Sequence, residues 1–342
     1  MTTSAIHKPH IWWILAPLLG ITILVGLSSG AYPLPLSRIV SIVLESFSGS
    51  DVNPVDYSVL VSIRLPRVLF GALAGGALAL GGVCMQTLFR NPLADPGLMG
   101  LSSGAALAAA TVTLLSSSVP LLSHPLALPL AAFAGGLTIT AIVYRISNYG
   151  GRLRIDSMLL MGIAMNALCG SLMGLIFLIA DDAQLRNITF WSFGSLGRAN
   201  LASTFFFALA IVLPVGIIWR FREAMNVLLM GEADAATLGV NVESLKRGLI
   251  GLSCWMVALV VAQAGLIGFV GLIIPHMARL MFGVSHKHLI PASLLIGAIF
   301  LPLVDTLCRT VVIPSELPIG MLTALLGSPF FIFLLVRQKG LI

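Results

Sequence analysis

The sequence predicts an all-α polytopic membrane protein with about ten transmembrane helices per subunit and both termini in the cytoplasm. Three observations carry that prediction. Of 342 residues, 58% are hydrophobic and only 9% charged, where soluble domains carry roughly 25% charged residues. Mean hydropathy is +1.04. Charge-free runs recur at the length of about 20 residues that a helix needs to cross a bilayer. The chain reads as a single transmembrane domain over residues 1–342, broken by one long polar segment at 220–247.

The spans follow in order from the positions of the charges. Residues 11–30 form the first, with Trp12 and Trp13 at a membrane interface. Lys8 before an uncharged run suggests a signal peptide, but no small-x-small cleavage site follows, so a spanning helix is expected. Residues 68–89 form the second. The uncharged run 96–144 is too long for one crossing and breaks at 116–125, giving the third and fourth. The fifth covers 157–180 and the sixth 201–219. Residues 248–278 hold the seventh and eighth, parted near 265–271, with the eighth running on past Arg279. The ninth covers 288–305 and the tenth 317–336.

An even count puts both termini on one side, and the basic residues choose it. With the termini inside, 13 of the 19 Lys and Arg residues, Lys8, Arg90, Arg145, Arg152, Arg154 and Lys339 among them, lie at the cytoplasmic face. Arg38, Arg64, Arg67, Arg186, Arg198 and Arg309 fall outside and need a reason. Glycines at 71, 75, 76, 81 and 82 predict close helix packing in the second span.

The segment 220–247, RFREAMNVLLMGEADAATLGVNVESLKR, is longer than a connector requires. Between Gly231 and Gly239, the helix formers Ala233, Ala235, Ala236 and Leu238 predict a short helix carrying Glu232 and Asp234. Met230 and Val240 flank it. A solvated loop is the plain reading; a docking helix for a cytoplasmic partner is preferred, because the segment is organised and mixed in charge.

Other chemistry is poorly supported. Gly100-Leu-Ser-Ser-Gly104 fits G-x-S-x-G but lacks the strand, Asp and His that a nucleophile elbow needs. No phosphate-binding loop, dinucleotide fingerprint or HExxH is present, so the chain is not expected to be an enzyme or to bind nucleotide itself. The net charge of +6 belongs to the membrane flanks, and nucleic acid is not expected. Cys84, Cys169, Cys254 and Cys308 stand singly, as buried small residues do, and no metal site follows from them. His124, His276, His286 and His288 are dispersed and read as structural. Asp305 and Arg309, four apart, form either a mutual charge pair or part of a pathway or docking surface.

The stretch 64–104, RLPRVLFGALAGGALALGGVCMQTLFRNPLADPGLMGLSSG, resembles the permease subunits of ABC importers for iron chelates, haem and vitamin B12. So do GEADAATLGV, GFVGLIIPHMARL and ELPIGMLTALLGSPFF. The resemblance implies a homodimer in the bacterial inner membrane, with a pathway on its two-fold axis. It also implies two cytoplasmic ATPase subunits that hold ATP and magnesium, a periplasmic binding protein, surrounding membrane lipid, and no cofactor in this chain. Residues 230–240 resemble the coupling helices that rest in a cleft of the ATPase. Arg64, Arg67 and Arg309 match arginines that meet acids of the binding protein. Asn91 and Leu93 of NPLADP, with Ile155 and Asp156, match positions that narrow the pathway on the cytoplasmic side. Gly162, Asn166 and Gly170 of the fifth helix fall beside that pathway.

The stretch 181–197, DDAQLRNITFWSFGSLG, with VYRI and GIAMNALCG, looks most like haem permeases. Haem as the substrate is the expectation, with a ferric-siderophore or cobalamin permease as the alternative within the family. Arg186 and Arg198 would meet the propionates; lipid headgroups or the binding protein are the competing occupants. A proton-driven secondary transporter would share the composition but should carry lone intramembrane acids, of which Asp305 is the only one evident.

Overall fold

The structure, a computed structural model, describes residues 10–48 and 52–338. Lys8 and Lys339, assigned above to the cytoplasmic face, lie outside the described residues. The chain runs through α1 (His10–Ser28), α2 (Leu36–Ser48), α3 (Pro54–Tyr57), a π-helical turn (Ser58–Arg64) and α4 (Leu65–Leu88). A 3-10 turn (Pro96–Met99) leads into α5 (Leu101–Leu115), and another (Pro120–Ser123) into α6 (Ala127–Ser147). A two-residue antiparallel hairpin, β1 (Asn148–Tyr149) and β2 (Arg152–Leu153), pairs Asn148 with Leu153 and opens into α7 (Ile155–Ile179). Then come α8 (Asp182–Ser192), α9 (Leu201–Arg220), α10 (Arg222–Leu228), α11 (Glu232–Thr237), α12 (Val242–Ala264), α13 (Val270–Phe282), α14 (His286–Thr310) and α15 (Ile319–Gln338).

Among the described residues, six helices are long and apolar enough to cross a membrane: Pro54–Leu88, Ala127–Ser147, Ile155–Ile179, Leu201–Arg220, Val242–Ala264 and His286–Thr310. Shorter apolar helices at Trp12–Ser28, Leu101–Leu115, Val270–Phe282 and Ile319–Phe333 fall at the other expected positions. Two of these are short for a visible reason. The chain before α5 forms a 3-10 turn instead of α-helix, and the chain between α12 and α13 is non-helical from Gly265 to Phe269, both of which have positive φ.

Three elements differ from the expectation. The helix that carries the second span starts at Pro54, so Arg64 and Arg67 sit within a continuous rod of 35 residues and not in a loop ahead of it. Charge positions missed this because both guanidiniums are neutralised or solvated inside the protein. α2 is amphipathic, burying Ile39 and Ile42 while Val40, Leu44 and Phe47 stay exposed, and its charges hid it from a search for uncharged runs. α8 starts with a capping box, in which Asp181 accepts from the Gln184 N–H at 2.8 Å and Gln184 accepts from the Asp181 N–H at 3.1 Å.

α4 is the axis of the protein. Nearly every residue from Val68 to Leu88 is buried, and α12, α13 and α14 pack on it. In lipid no hydrophobic force drives helices together, so close approach must come from small residues. At Gly75 a Cβ would overlap the carbonyl of Gly297 on α14, and at Gly82 it would overlap the carbonyl of Gly271 on α13. Gly75→Leu must therefore push α14 away from α4. It is expected to destabilise the fold by at least about 3 kcal/mol, the upper end for overpacking. Thermal unfolding in detergent should show the loss; an unchanged midpoint would remove α4 as the packing axis. All four cysteines are buried and unbridged.

Candidate functional site

Gly231 and Gly239 bracket α11 with φ values of 137° and 83°, which side chains rarely adopt, so the chain turns sharply on both sides of six helical residues. Within the turn, the Ala235 N–H donates to the Gly231 carbonyl at 3.0 Å, and the Val240 N–H donates to the Ala235 carbonyl at 3.0 Å. Ala235 is fully buried, whereas Ala233, Asp234, Ala236 and Gly239 are exposed. Met230 and Leu238 are 67% and 62% exposed. The short helix thus turns one small residue inward and holds two large apolar side chains outward.

A buried lysine fixes this helix. Lys246, on the second turn of α12, is 1% exposed, and its ammonium meets Glu232 at 2.9 Å, Glu243 at 2.8 Å and the Leu153 carbonyl at 3.1 Å. Three acceptors match the three N–H donors of an ammonium. Glu243 closes the loop by accepting from the Leu153 N–H at 3.1 Å. One lysine therefore ties α11, α12 and the β1–β2 hairpin together. On the other side, Asn226 of α10 accepts from the His286 N–H at 2.9 Å and lies 2.8 Å from its Nδ1, which docks the segment on α14. The sequence placed Lys246 in the polar segment but gave no sign of its burial, because the partners come from 14 and 93 residues away.

Lys246→Met should leave Leu153, Glu232 and Glu243 short of a partner, at a cost of about 1–3 kcal/mol. Hydrogen exchange in residues 148–153 and 232–237 should then quicken while the middle of α12 stays protected. Equal exchange in both proteins would show that the lysine is not the tie.

The end of the NPLADP loop leads into a 3-10 turn that packs on α7. Asn91, exposed, accepts from the Leu93 N–H at 2.9 Å and sets a tight turn. Asp95 accepts from the Gly97 N–H at 2.7 Å and starts the 3-10 turn. That turn rests on α7: a Cβ at Gly162 would overlap the Leu98 carbonyl, and Asn166 donates to the Gly97 carbonyl at 3.4 Å while accepting from Ser103 of α5 at 2.6 Å. Gly162, expected to line the pathway, is instead a buried packing contact, since its missing side chain lets the turn approach. Gly170 is exposed, and no atom lies within 4 Å of its Cβ position. Ile155 and Asp156 form the first turn of α7, directly after the hairpin held by Lys246.

The arginines expected at the outer docking surface are buried: Arg64, Arg67 and Arg309 are 3%, 6% and 6% exposed. Arg67 forks between two carboxylates, 2.9 Å from Asp305 and 2.8 Å from Glu316. Arg309 donates to Asp305 at 3.1 Å and to the Gly26 carbonyl at 3.1 Å. Arg64 donates to the carbonyls of Leu27, Ser28 and Tyr32. These side chains do not lie bare on the surface; they lock the ends of α1, α4 and α14 to the loop that carries Glu316. Of the two readings left open for Asp305 and Arg309, the geometry gives the charge pair. Glu316, whose side chain is 48% exposed, is the acid that sequence spacing missed.

Arg186 and Arg198 are both exposed, and Arg198 lines a cavity of about 550 Å³ with Asn187, His124 and Trp191. Arg186 does not line it. The loop after α8 ties three elements by backbone bonds: Ser195 N–H to the Ala264 carbonyl at 2.7 Å, Ile319 N–H to Gly194 at 3.2 Å and Gly320 N–H to Phe193 at 2.8 Å. Beside it, Phe193, Leu266, Gly320 and Ala324 line an apolar cavity of about 520 Å³. Phe269 is held at φ 67°, in the left-handed region that a bulky residue avoids, with its ring where a side chain at Gly327 would lie.

The sequence pattern of the FecCD transport family matches residues 18–337. The hemin transport system permease protein HmuU of Yersinia pestis is 43% identical over 301 residues, covering 88% of this chain and 90% of that protein. The cobalamin import system permease protein BtuC of Halobacterium salinarum is 38% identical over 308 residues, covering 90% and 80%. A solved structure described as an inward-facing conformation of a metal-chelate type ABC transporter superposes with a TM-score of 0.84 at 32% identity, over 96% of this chain and 100% of that one. Identity above 30% over nearly full length carries the assignment. The chain belongs to the FecCD transport family, the permease subunits of ABC importers for iron chelates, haem and vitamin B12.

Proposed function

We propose that this permease imports haem across the bacterial inner membrane, as a homodimer with ten spans per subunit, both termini in the cytoplasm, and partners that supply ATP hydrolysis and substrate. The observation that carries the substrate is the 43% identity to a hemin permease over 88% of the chain. In support, residues 181–200 contain no His, Tyr or Cys that would ligate iron, as suits a site that must release its cargo. α7 keeps one face on α5 and the 3-10 turn and leaves Ala164, Ala167, Gly170 and Gly174 exposed, small residues that suit a broad apolar plate on a two-fold axis. Arg198 at the outer cavity, and Arg186 near it in sequence, steer the propionates.

Met230 and Leu238 enter a cleft of the ATPase, and Lys246 passes the motion of α11 to α12. That helix is a rod of 23 residues, about 35 Å long. Its far end, Ala264, is bonded to the loop after α8, so movement at the coupling face reaches the outer mouth through packed backbone. Arg64, Arg67 and Arg309 hold the outer face on which the binding protein docks. The test is ATP hydrolysis by the full assembly in vesicles. Haem-loaded binding protein should stimulate it more than the same protein offered a ferric siderophore or cobalamin, and His124→Ala should leave the stimulation intact, because His124, although it borders the cavity with Arg198, has its Nδ1 accepting the Leu126 N–H at 3.2 Å in a local turn. Stimulation by cobalamin in place of haem would overturn the substrate, and loss in the His124 variant would overturn the absence of an iron ligand.

A further inference from the structure

Between α6 and α12 lies a groove of about 380 Å³ that the transport reading does not use, walled by Leu137, Ala141, Ile250, Gly251 and Cys254, with Arg247 at one end. Gly251 opens it: nothing lies within 4 Å of its Cβ position. Both helices are long and apolar enough to span a membrane, so the groove runs along the bilayer and ends at the face that carries α11. There Arg247, exposed, donates through Nε to the Glu243 carbonyl at 3.2 Å, and its two terminal nitrogens meet no acceptor among the described residues. The nearest acid on its own helix, Glu243, is already held by Lys246 and the Leu153 N–H. No carboxylate lines the groove.

An apolar slot with an unpaired guanidinium at the headgroup level has the chemistry of an anionic amphiphile: hydrocarbon along the helices, a phosphate oxygen pair on the planar fork. We infer that this groove is a binding site for one acyl chain of an anionic glycerophospholipid, whose phosphate is held by Arg247. The inference needs only that α6 and α12 span a bilayer, so it stands apart from the choice of transported substrate. The phosphate sits on Arg247, the residue next to Lys246, and the lipid braces the base of α12 beside the coupling helix.

Native mass spectrometry of the detergent-purified protein, titrated with phosphatidylglycerol or phosphatidylethanolamine, tests this. The wild type should retain one phosphatidylglycerol per chain in preference to phosphatidylethanolamine. Arg247→Gln should weaken phosphatidylglycerol about fivefold and erase the preference, the effect of one basic residue at an anionic surface. Gly251→Leu fills the slot with a better helix former and should displace both lipids; Ala141→Leu repeats the test from the other wall should that protein not fold. Retention of phosphatidylglycerol by the filled variants would overturn the site. So would competition by inorganic phosphate, which would mean a free-anion site, or a groove closed to lipid by a second copy of the chain.

Discussion

Ala235→Pro is expected to leave a membrane-inserted permease that assembles but transports poorly. Ala235 is the one fully buried residue of α11, and its N–H closes the first helical turn on Gly231 at 3.0 Å. Proline removes that donor and its ring collides with the preceding turn, at about 3 kcal/mol in a helix interior. A helix of six residues cannot absorb this by fraying elsewhere, so Met230 and Leu238 lose their fixed separation. The damage stays local because α11 packs on its neighbours α10 and α12 and is tied to α12 through Lys246, away from the α4 axis. Uptake in vesicles should fall by at least tenfold, the ratio for about 1.4 kcal/mol of coupling. Wild-type uptake by an assembled variant would remove α11 from energy transfer.

Asp305→Asn should give the largest loss of stability for so small a change. Asp305 neutralises Arg67 and Arg309 at once, and the three side chains are 2%, 8% and 6% exposed. Breaking a buried pair leaves an uncompensated charge and costs about 3–5 kcal/mol. Glu316 contacts the same Arg67 from a side chain that is 48% exposed, so Glu316→Gln should cost no more than about 1 kcal/mol. Unfolding midpoints in detergent should separate the two variants clearly; equal midpoints would contradict the inward reading of the network. Arg67→Glu is a poor probe of docking, since it would set a third carboxylate beside Asp305 and Glu316.

Sequence alone located the apolar helices and α11, because both rest on local signals: charge-free length for the spans, and glycines around good helix formers for α11. It did not foresee that the helix of the second span begins as early as Pro54, since an arginine paired across 238 residues reads locally as a charge facing water. Gly162 shows a related limit. A small residue on an apolar helix marks either open space or a close neighbour, and only the position of Leu98 decides. Lys246 and Glu316 were invisible for the same reason as the arginines. Their roles are set by partners on other elements.

ATP-driven haem uptake tests the central claim most directly. Vesicles holding the permease with its ATPase and haem-loaded binding protein should accumulate haem only when ATP is present, and should stop when either partner is withheld. Accumulation that follows a proton gradient without ATP, or a ferric siderophore or cobalamin carried where haem is not, would contradict it.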